Sequence, residues 1–164
     1  MSRLFFLLEY LANAVWMGAI IMFAFAVAGT VFREAGSINL AGHLNGVVLQ
    51  KLNKIEFSAA ALLILSSLAL LAFSPDERET TRYIKLGLSL TMLALVFYYG
   101  VVVTNRLEHL RVVEIVDFDN FDTTKQAFRD EFNVLHKRYT TLVSINLLLN
   151  IIYAALTVFG KKGT

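Results

Sequence analysis

The chain has 164 residues, of which 57% are hydrophobic and only 17% are charged. Soluble domains carry about 25% charged residues, so this chain has too few charges to cover a water-exposed surface. The absence of cysteine excludes disulfides, thiolate metal sites and a cysteine nucleophile. The single proline argues against an all-β fold, and a net charge of +2 with both signs interspersed does not indicate binding to nucleic acid.

Long stretches without a charged side chain are the clearest pattern in the chain. A helix that crosses the hydrocarbon core of a bilayer needs roughly 20 such residues, and backbone groups in lipid must be paired within a helix. The chain therefore predicts an all-α, integral membrane four-helix bundle formed by a single domain, 1–164. Its predicted spans are residues 4–32, 57–74, 84–105 and 139–160.

The links between these spans differ in length. Both termini and the short link 74–82 fall on one side, which we call side A, and the long links fall on the opposite side, side B. Apolar residues in the long links, 33–56 and 106–138, recur at helical spacings of three and four. We therefore predict a helical extension outside the bilayer on side B. In it, the second and fourth helices pack together, the third runs to about Glu114, and Asp122 or Thr123 caps the fourth.

Localisation follows from the spans and from the basic residues beside them. A multi-pass protein of the cell membrane, of the bacterial inner-membrane type, is expected. Lysine and arginine in short segments near helix ends mark the cytoplasmic side. Their density is higher on side A, which predicts cytoplasmic termini, although the total number of basic residues is higher on side B.

Polar residues inside the spans are candidates for structure or function. Asn13 and Asn150 lie at similar depths from side A, and Glu9 and Asn146 lie one helical turn from them. Buried polar groups in a membrane bundle tend to face inward and pair. One interpretation is a polar path or substrate site between the first and fourth helices. The other, which we favour, is a set of interhelical hydrogen bonds, each worth about 0.6–2 kcal/mol.

Charged residues also mark the side-B edges of the four spans. They are Arg33, Glu56, Arg106 and Arg138. Some of them are predicted to form ion pairs at the interface, and the alternative is that their side chains extend to lipid headgroups.

The three histidines, His43, His109 and His136, all fall on side B. Imidazole and carboxylate groups can bind Zn²⁺, Cu²⁺ or Fe²⁺. No two histidines share a helix at ligand spacing, however, and none lies within a predicted span. We therefore predict no high-affinity metal site, no haem and no other cofactor.

Enzyme motifs give no further candidates. The chain contains no phosphate-binding loop, dinucleotide fingerprint, G-x-S-x-G turn or H-E-x-x-H sequence. We therefore predict no catalytic residues and no enzymatic activity.

Two groups of short motifs resemble the transmembrane protein 205-like family, which consists of small four-helix membrane proteins. The first group comprises Val15-Trp16-Met17-Gly18, Phe23, Phe25, Val31-Phe32 and Ala41-Gly42-His43-Leu44. The second comprises the F-x-x-L-H motif within 132–138, Leu142 and Asn146-Leu147-Leu148-Leu149. The family often has a proline near the end of its first helix, where this chain has Ala28-Gly29-Thr30. The resemblance implies four helices with the long links on one side. It also suggests transport or resistance to metal drugs.

Three functions remain open from the sequence. We favour an accessory or scaffold subunit of a larger membrane assembly, with the bilayer and either other membrane subunits or further copies of this chain as partners. A small permease or resistance-type transporter is the first alternative, and it requires a hydrated path that reaches Asn13 and Asn150. A membrane metal or haem binder is the second.

Overall fold

A computed structural model of the protein describes residues 2–73 and 79–160, and its regular secondary structure is entirely helical. Four helices in these ranges are long and apolar enough to cross a membrane: α1 (Arg3–Glu34), α2 (Ile38–Phe73), α3 (Thr80–Ile115) and α4 (Thr123–Phe159). Each is roughly 50 Å long, whereas the hydrocarbon core is about 30 Å thick. The predicted helical class and the number of long apolar helices are confirmed. The first part of the predicted link 74–82 lies outside the described residues.

The turn between α1 and α2 follows from three residues. Gly36 has a φ of 71°, a backbone conformation that glycine adopts without a steric penalty. Ser37 then accepts a hydrogen bond through its hydroxyl oxygen from the Leu40 N–H, at 3.1 Å. Such a bond satisfies one of the free N–H groups at a helix start. α1 and α2 are therefore joined by a short reversal.

The link between α3 and α4 begins where Val116 has a φ of 67°. α3 ends at Ile115, one residue beyond the predicted end. The carboxylate of Asp122 accepts from the Thr124 N–H at 2.9 Å, at the start of the 3₁₀ turn with which α4 begins. The predicted cap at Asp122 is therefore confirmed.

Three helical segments are wound more widely, as π-helical turns: Phe23–Val27, Tyr98–Val103 and Leu110–Ile115. Such turns interrupt the regular i to i−4 bonding and are frequent at functional sites. In the second of them, the Gly100 carbonyl accepts a hydrogen bond from the Asn53 side chain at 3.1 Å. A Cβ atom at position 100 would lie 3.1 Å from Asn53 Cγ, so this close approach favours glycine.

The helices contact one another in sequence around a ring: α1 with α2, α2 with α3, α3 with α4, and α4 with α1. α2 and α4 lie diagonally across this ring. The prediction that they pack together on side B is therefore wrong. Apolar stripes identify which helix faces are buried, but they do not identify the neighbouring helix. Across the diagonal, long side chains meet in the core, as Asn53 and Tyr139 do at 3.4 Å.

The two side-B links are joined by hydrogen bonds that the sequence did not indicate. The Asp119 carboxylate accepts from the backbone N–H groups of Ile38 at 2.7 Å and Asn39 at 3.2 Å, which are the first two residues of α2. The Asn39 side chain in turn donates to Asp117 at 2.7 Å and accepts from the Phe118 N–H at 2.8 Å. The link between α3 and α4 therefore caps the start of α2.

Asp117 makes the contact between the α3–α4 link and the start of α2 sensitive to acid. Hydrogen bonds from the Asn120 backbone and from the Asn39 side chain lower the pKa of Asp117 to about 2. This folded pKa lies below the ordinary value of about 3.9. Ionised Asp117 therefore stabilises the fold fully above about pH 4, and this contribution is lost as the pH falls towards 2.

We expect the thermal midpoint of the wild-type protein to fall between pH 5 and pH 2 more steeply than that of Asp117→Asn. Asp130→Asn is the control, because Asp130 accepts only a hydrogen bond from Gln126 within its own helix. Thermal unfolding of the three proteins across this pH range measures the difference. Parallel curves for wild type and Asp117→Asn would contradict the assignment of this acid sensitivity to Asp117.

Candidate functional site

A buried ion pair lies in the side-A half of the core. Lys85 Nζ is 2.7 Å from Glu9 Oε2, and the residues are 1% and 0% exposed. The Tyr153 hydroxyl donates to the other Glu9 oxygen and is 2.9 Å from the Ser67 hydroxyl. One residue from each of the four helices therefore takes part. Because a buried charge without its counterion is costly, this cluster fixes how the helices sit against one another.

A second buried carboxylate, Glu56, lies further towards side B and is also 0% exposed. Its Oε1 atom accepts from Trp16 Nε1 at 3.1 Å and from the Tyr99 hydroxyl. Asn146 donates to the same hydroxyl oxygen at 2.9 Å. In this cluster too, each of the four helices contributes one side chain.

Three asparagines lie beside these clusters. Asn13 donates to the Asn150 side-chain oxygen at 3.0 Å and to its backbone oxygen at 3.3 Å. The Asn150 amide donates to the Asn146 carbonyl at 2.9 Å. The asparagines thereby connect α1 to α4 and continue to the Glu56 cluster through Asn146.

Together these side chains form what we call the polar column. Its members are Glu9, Lys85, Tyr153, Ser67, Asn13, Asn150, Asn146, Tyr99, Glu56 and Trp16. Most of their polar atoms bond to other members of the column. Two oxygens are exceptions: Glu56 Oε2 and Asn146 Oδ1 are buried and have no hydrogen-bond partner. A carboxylate oxygen and an amide oxygen both accept hydrogen bonds, so each of these atoms retains unused capacity as an acceptor.

The structure brings together the four polar residues that the sequence singled out within the spans. Asn13 bonds to Asn150, and Asn146 lies next along α4. Glu9 lies in the neighbouring ion pair and is fully buried. Their proximity is compatible both with helix association and with a pathway, so the preference for helix association stays a prediction.

Two of the four charged residues at the span edges, Arg33 and Arg106, form ion pairs, and their partners lie outside that set. Glu56 points into the core. Arg33 pairs with its neighbour Glu34 at 3.1 Å. Arg106 makes two hydrogen bonds of 2.8 Å to Glu131, and Arg138 lies 3.5 Å from the Tyr98 hydroxyl. Glu56 instead accepts hydrogen bonds from aromatic donors across the core, a direction that its position at a span edge does not indicate.

Lys85 was the main functional candidate that sequence reasoning missed. It lies at the start of the predicted span 84–105, and no partner was predicted for it. Glu9 and Lys85 both lie about two helical turns from the side-A ends of their helices. Equal depth with opposite charge is the signal that could have paired them.

The histidines occupy separate surroundings. His109 lies 3.2 Å from Glu114, the His136 ring stacks on Phe132 with centroids 6.1 Å apart, and His43 is exposed. Within residues 2–73 and 79–160, no group of three or more histidine, aspartate or glutamate side chains is placed to hold a metal ion.

The geometry defines a class of protein: a helical chain with four helices able to cross a membrane and with a polar column between them. Comparisons of the chain with protein-family models, with curated proteins and with solved structures found no match.

We expect Asn13→Ala and Asn150→Ala each to lower the free energy of unfolding by about 1–2 kcal/mol. The double variant should cost less than the sum, because the second substitution removes no remaining bond between the two side chains. Unfolding in mixed micelles measures the free energies of the wild type, the two single variants and the double variant. Asn133→Ala, at an exposed position of α4, is the control. Strictly additive losses would show that the two amides act independently.

Proposed function

We propose that the protein is a four-helix bundle inserted in the cell membrane, with cytoplasmic termini, and that it is an accessory or scaffold subunit of a larger membrane assembly. It is not itself an enzyme in this proposal. The motifs given above also lead us to propose membership of the transmembrane protein 205-like family, which has the same arrangement of spans and links.

The polar column is the observation that carries the proposal. In both of its carboxylate clusters, side chains from all four helices bond to one another. Most of the polar atoms in these clusters are engaged with one another and are not available to a substrate, and separating the helices would leave charged or polar atoms unpaired. A fixed arrangement of helices suits a structural subunit better than a carrier that must open and close.

The outer surface of the side-B half adds a second argument. The helices exceed the thickness of the hydrocarbon core by roughly 20 Å. Large apolar side chains are nevertheless exposed in that half: Ile38, Leu40, Leu44, Val47, Val112 and Val113. Contiguous exposed apolar surface outside lipid marks sites of protein association. We therefore infer that another membrane subunit covers this surface.

Site-specific photo-crosslinking in the native membrane tests the proposal. A crosslinking residue at Val113, which is 58% exposed, is expected to capture one protein of defined mass in stoichiometric yield. Leu65 is 64% exposed in the middle of the predicted span 57–74 and is the matched control, at which lipid is the expected product. Crosslinks to lipid alone at both positions, together with a monomeric chain by native mass spectrometry, would overturn the proposal.

A small permease is the second candidate, and the two unpartnered oxygens favour it. Ionisable residues inside a membrane protein commonly mark ion or proton pathways, and Glu56 Oε2 is buried and lacks a hydrogen-bond partner. Purified protein in liposomes distinguishes the two candidates. A structural subunit gives no proton or potassium flux above that of empty vesicles. Flux that Glu56→Gln abolishes would favour the permease.

A further inference from the structure

A cavity of about 410 Å³ lies in the side-B half of the molecule. All four helices line it, and its volume is within the range of roughly 300–1,000 Å³ that is typical of small-molecule sites. We call it the side-B cavity. It is separate from the polar column, whose members are absent from its lining.

The walls of the side-B cavity are mainly apolar. The π-helical turn of α1 contributes Phe23 and Phe25, while Leu49, Leu107 and Leu147 come from α2, α3 and α4. π-helical turns often occur at functional sites. These walls suit a hydrocarbon chain, which loses contact with water when it enters.

The side-chain amide of Asn45 is a polar group within these apolar walls. It lines the cavity, it is 6% exposed, and neither its side-chain nitrogen nor its side-chain oxygen has a hydrogen-bond partner. Buried polar atoms in proteins are nearly always paired. The amide can both donate and accept a hydrogen bond, so it matches a ligand group that does the same.

The charges in the lining indicate that the ligand is neutral. Arg111 and Glu108 both line the cavity, and they pair with each other at 2.6 and 3.1 Å. The arginine is therefore already neutralised and does not call for an anionic headgroup. Asn45 recognises an uncharged group by hydrogen bonding alone.

We propose that the side-B cavity binds a neutral amphiphile, with its hydrocarbon chain against the apolar walls and a hydroxyl headgroup bonded to the Asn45 amide. The hydroxyl donates to Asn45 Oδ1 and accepts from Asn45 Nδ2. This ligand site goes beyond the proposed structural role. It does not depend on whether the protein is a subunit or a permease.

Two adjacent threonines of α4 give a matched pair of variants. Thr140 and Thr141 are both exposed, and both hydroxyls donate to the Lys137 carbonyl at 2.9 Å. Only Thr140 lines the cavity. Tryptophan at position 140 therefore fills the site, whereas tryptophan at position 141 adds the same bulk outside it.

The experiment measures binding of 1-decanoylglycerol and of decanoate to the full chain in lipid nanodiscs, by native mass spectrometry after release. We expect saturable binding of one decanoylglycerol per chain. Decanoate should bind at least tenfold more weakly. Thr140→Trp should abolish binding, and Thr141→Trp should leave it unchanged.

Asn45→Leu separates recognition from folding. It should weaken decanoylglycerol binding at least tenfold while the thermal midpoint of the ligand-free protein stays the same or rises, because an unpaired amide is removed. Three results would overturn the proposal: binding that does not saturate, equal binding by the two tryptophan variants, or tighter binding of decanoate. Failure of the Val113 crosslinking experiment would leave this ligand site unaffected.

Discussion

Lys85→Met is expected to lower the free energy of unfolding by about 3–5 kcal/mol. Lys85 is 1% exposed and pairs with a Glu9 carboxylate that is fully buried. Removing the cation leaves that carboxylate in the core without its counterion.

The double variant Glu9→Gln/Lys85→Met should recover much of the loss, because neither charge then remains in the core. Unfolding in mixed micelles gives the comparison. Arg106→Met, which breaks the exposed pair with Glu131, is the control and should have a much smaller effect. If Lys85→Met were no more destabilising than Arg106→Met, the pair would not be buried in the folded protein.

Trp16→Ala should have an effect of similar size, about 3–5 kcal/mol. Trp16 is 0% exposed, lies in the main hydrophobic cluster and donates to Glu56. The substitution therefore creates a cavity and also removes one of the two observed donors to a buried carboxylate. Phe97→Ala, at an aromatic position 57% exposed on α3, is the matched control and should change stability little.

Trp16→Phe separates the two contributions to this loss. Phenylalanine retains most of the apolar volume but cannot donate to Glu56, so the remaining loss should be about 1–3 kcal/mol, as for a buried acceptor that loses one of its donors. A loss in Trp16→Phe equal to that in Trp16→Ala would mean that the hydrogen bond outweighs the packing. A negligible loss would mean that Glu56 does not depend on the indole.

Features that depend on local chemistry could be predicted from the sequence. Long uncharged stretches indicated the four helices, because lipid and charge are incompatible over that length. The cap at Asp122 followed from the preference of aspartate for helix starts. Equal depth placed Asn13 and Asn150 near each other. None of these inferences required knowledge of which helices are neighbours.

Features that depend on the neighbouring helix were missed. Glu56 was assigned to the edge of a span, although its partners Trp16 and Tyr99 lie across the core. Lys85 was given no partner, although it pairs with Glu9. The diagonal placement of α2 and α4 depends on packing between helices, which the stripes on one helix do not specify. The π-helical turns depend on backbone register, for which the sequence has no clear signature.

Glu9 and the residues that contact it are synthesised at different times. Lys85 follows Glu9 by 76 residues, and Tyr153 follows it by 144. When α1 leaves the ribosome, neither of these partners has yet been synthesised. The Glu9 carboxylate can therefore acquire Lys85 only after α3 has been made, and Tyr153 only after α4 has been made. The complete cluster around Glu9 thus forms only after all four helices have been synthesised.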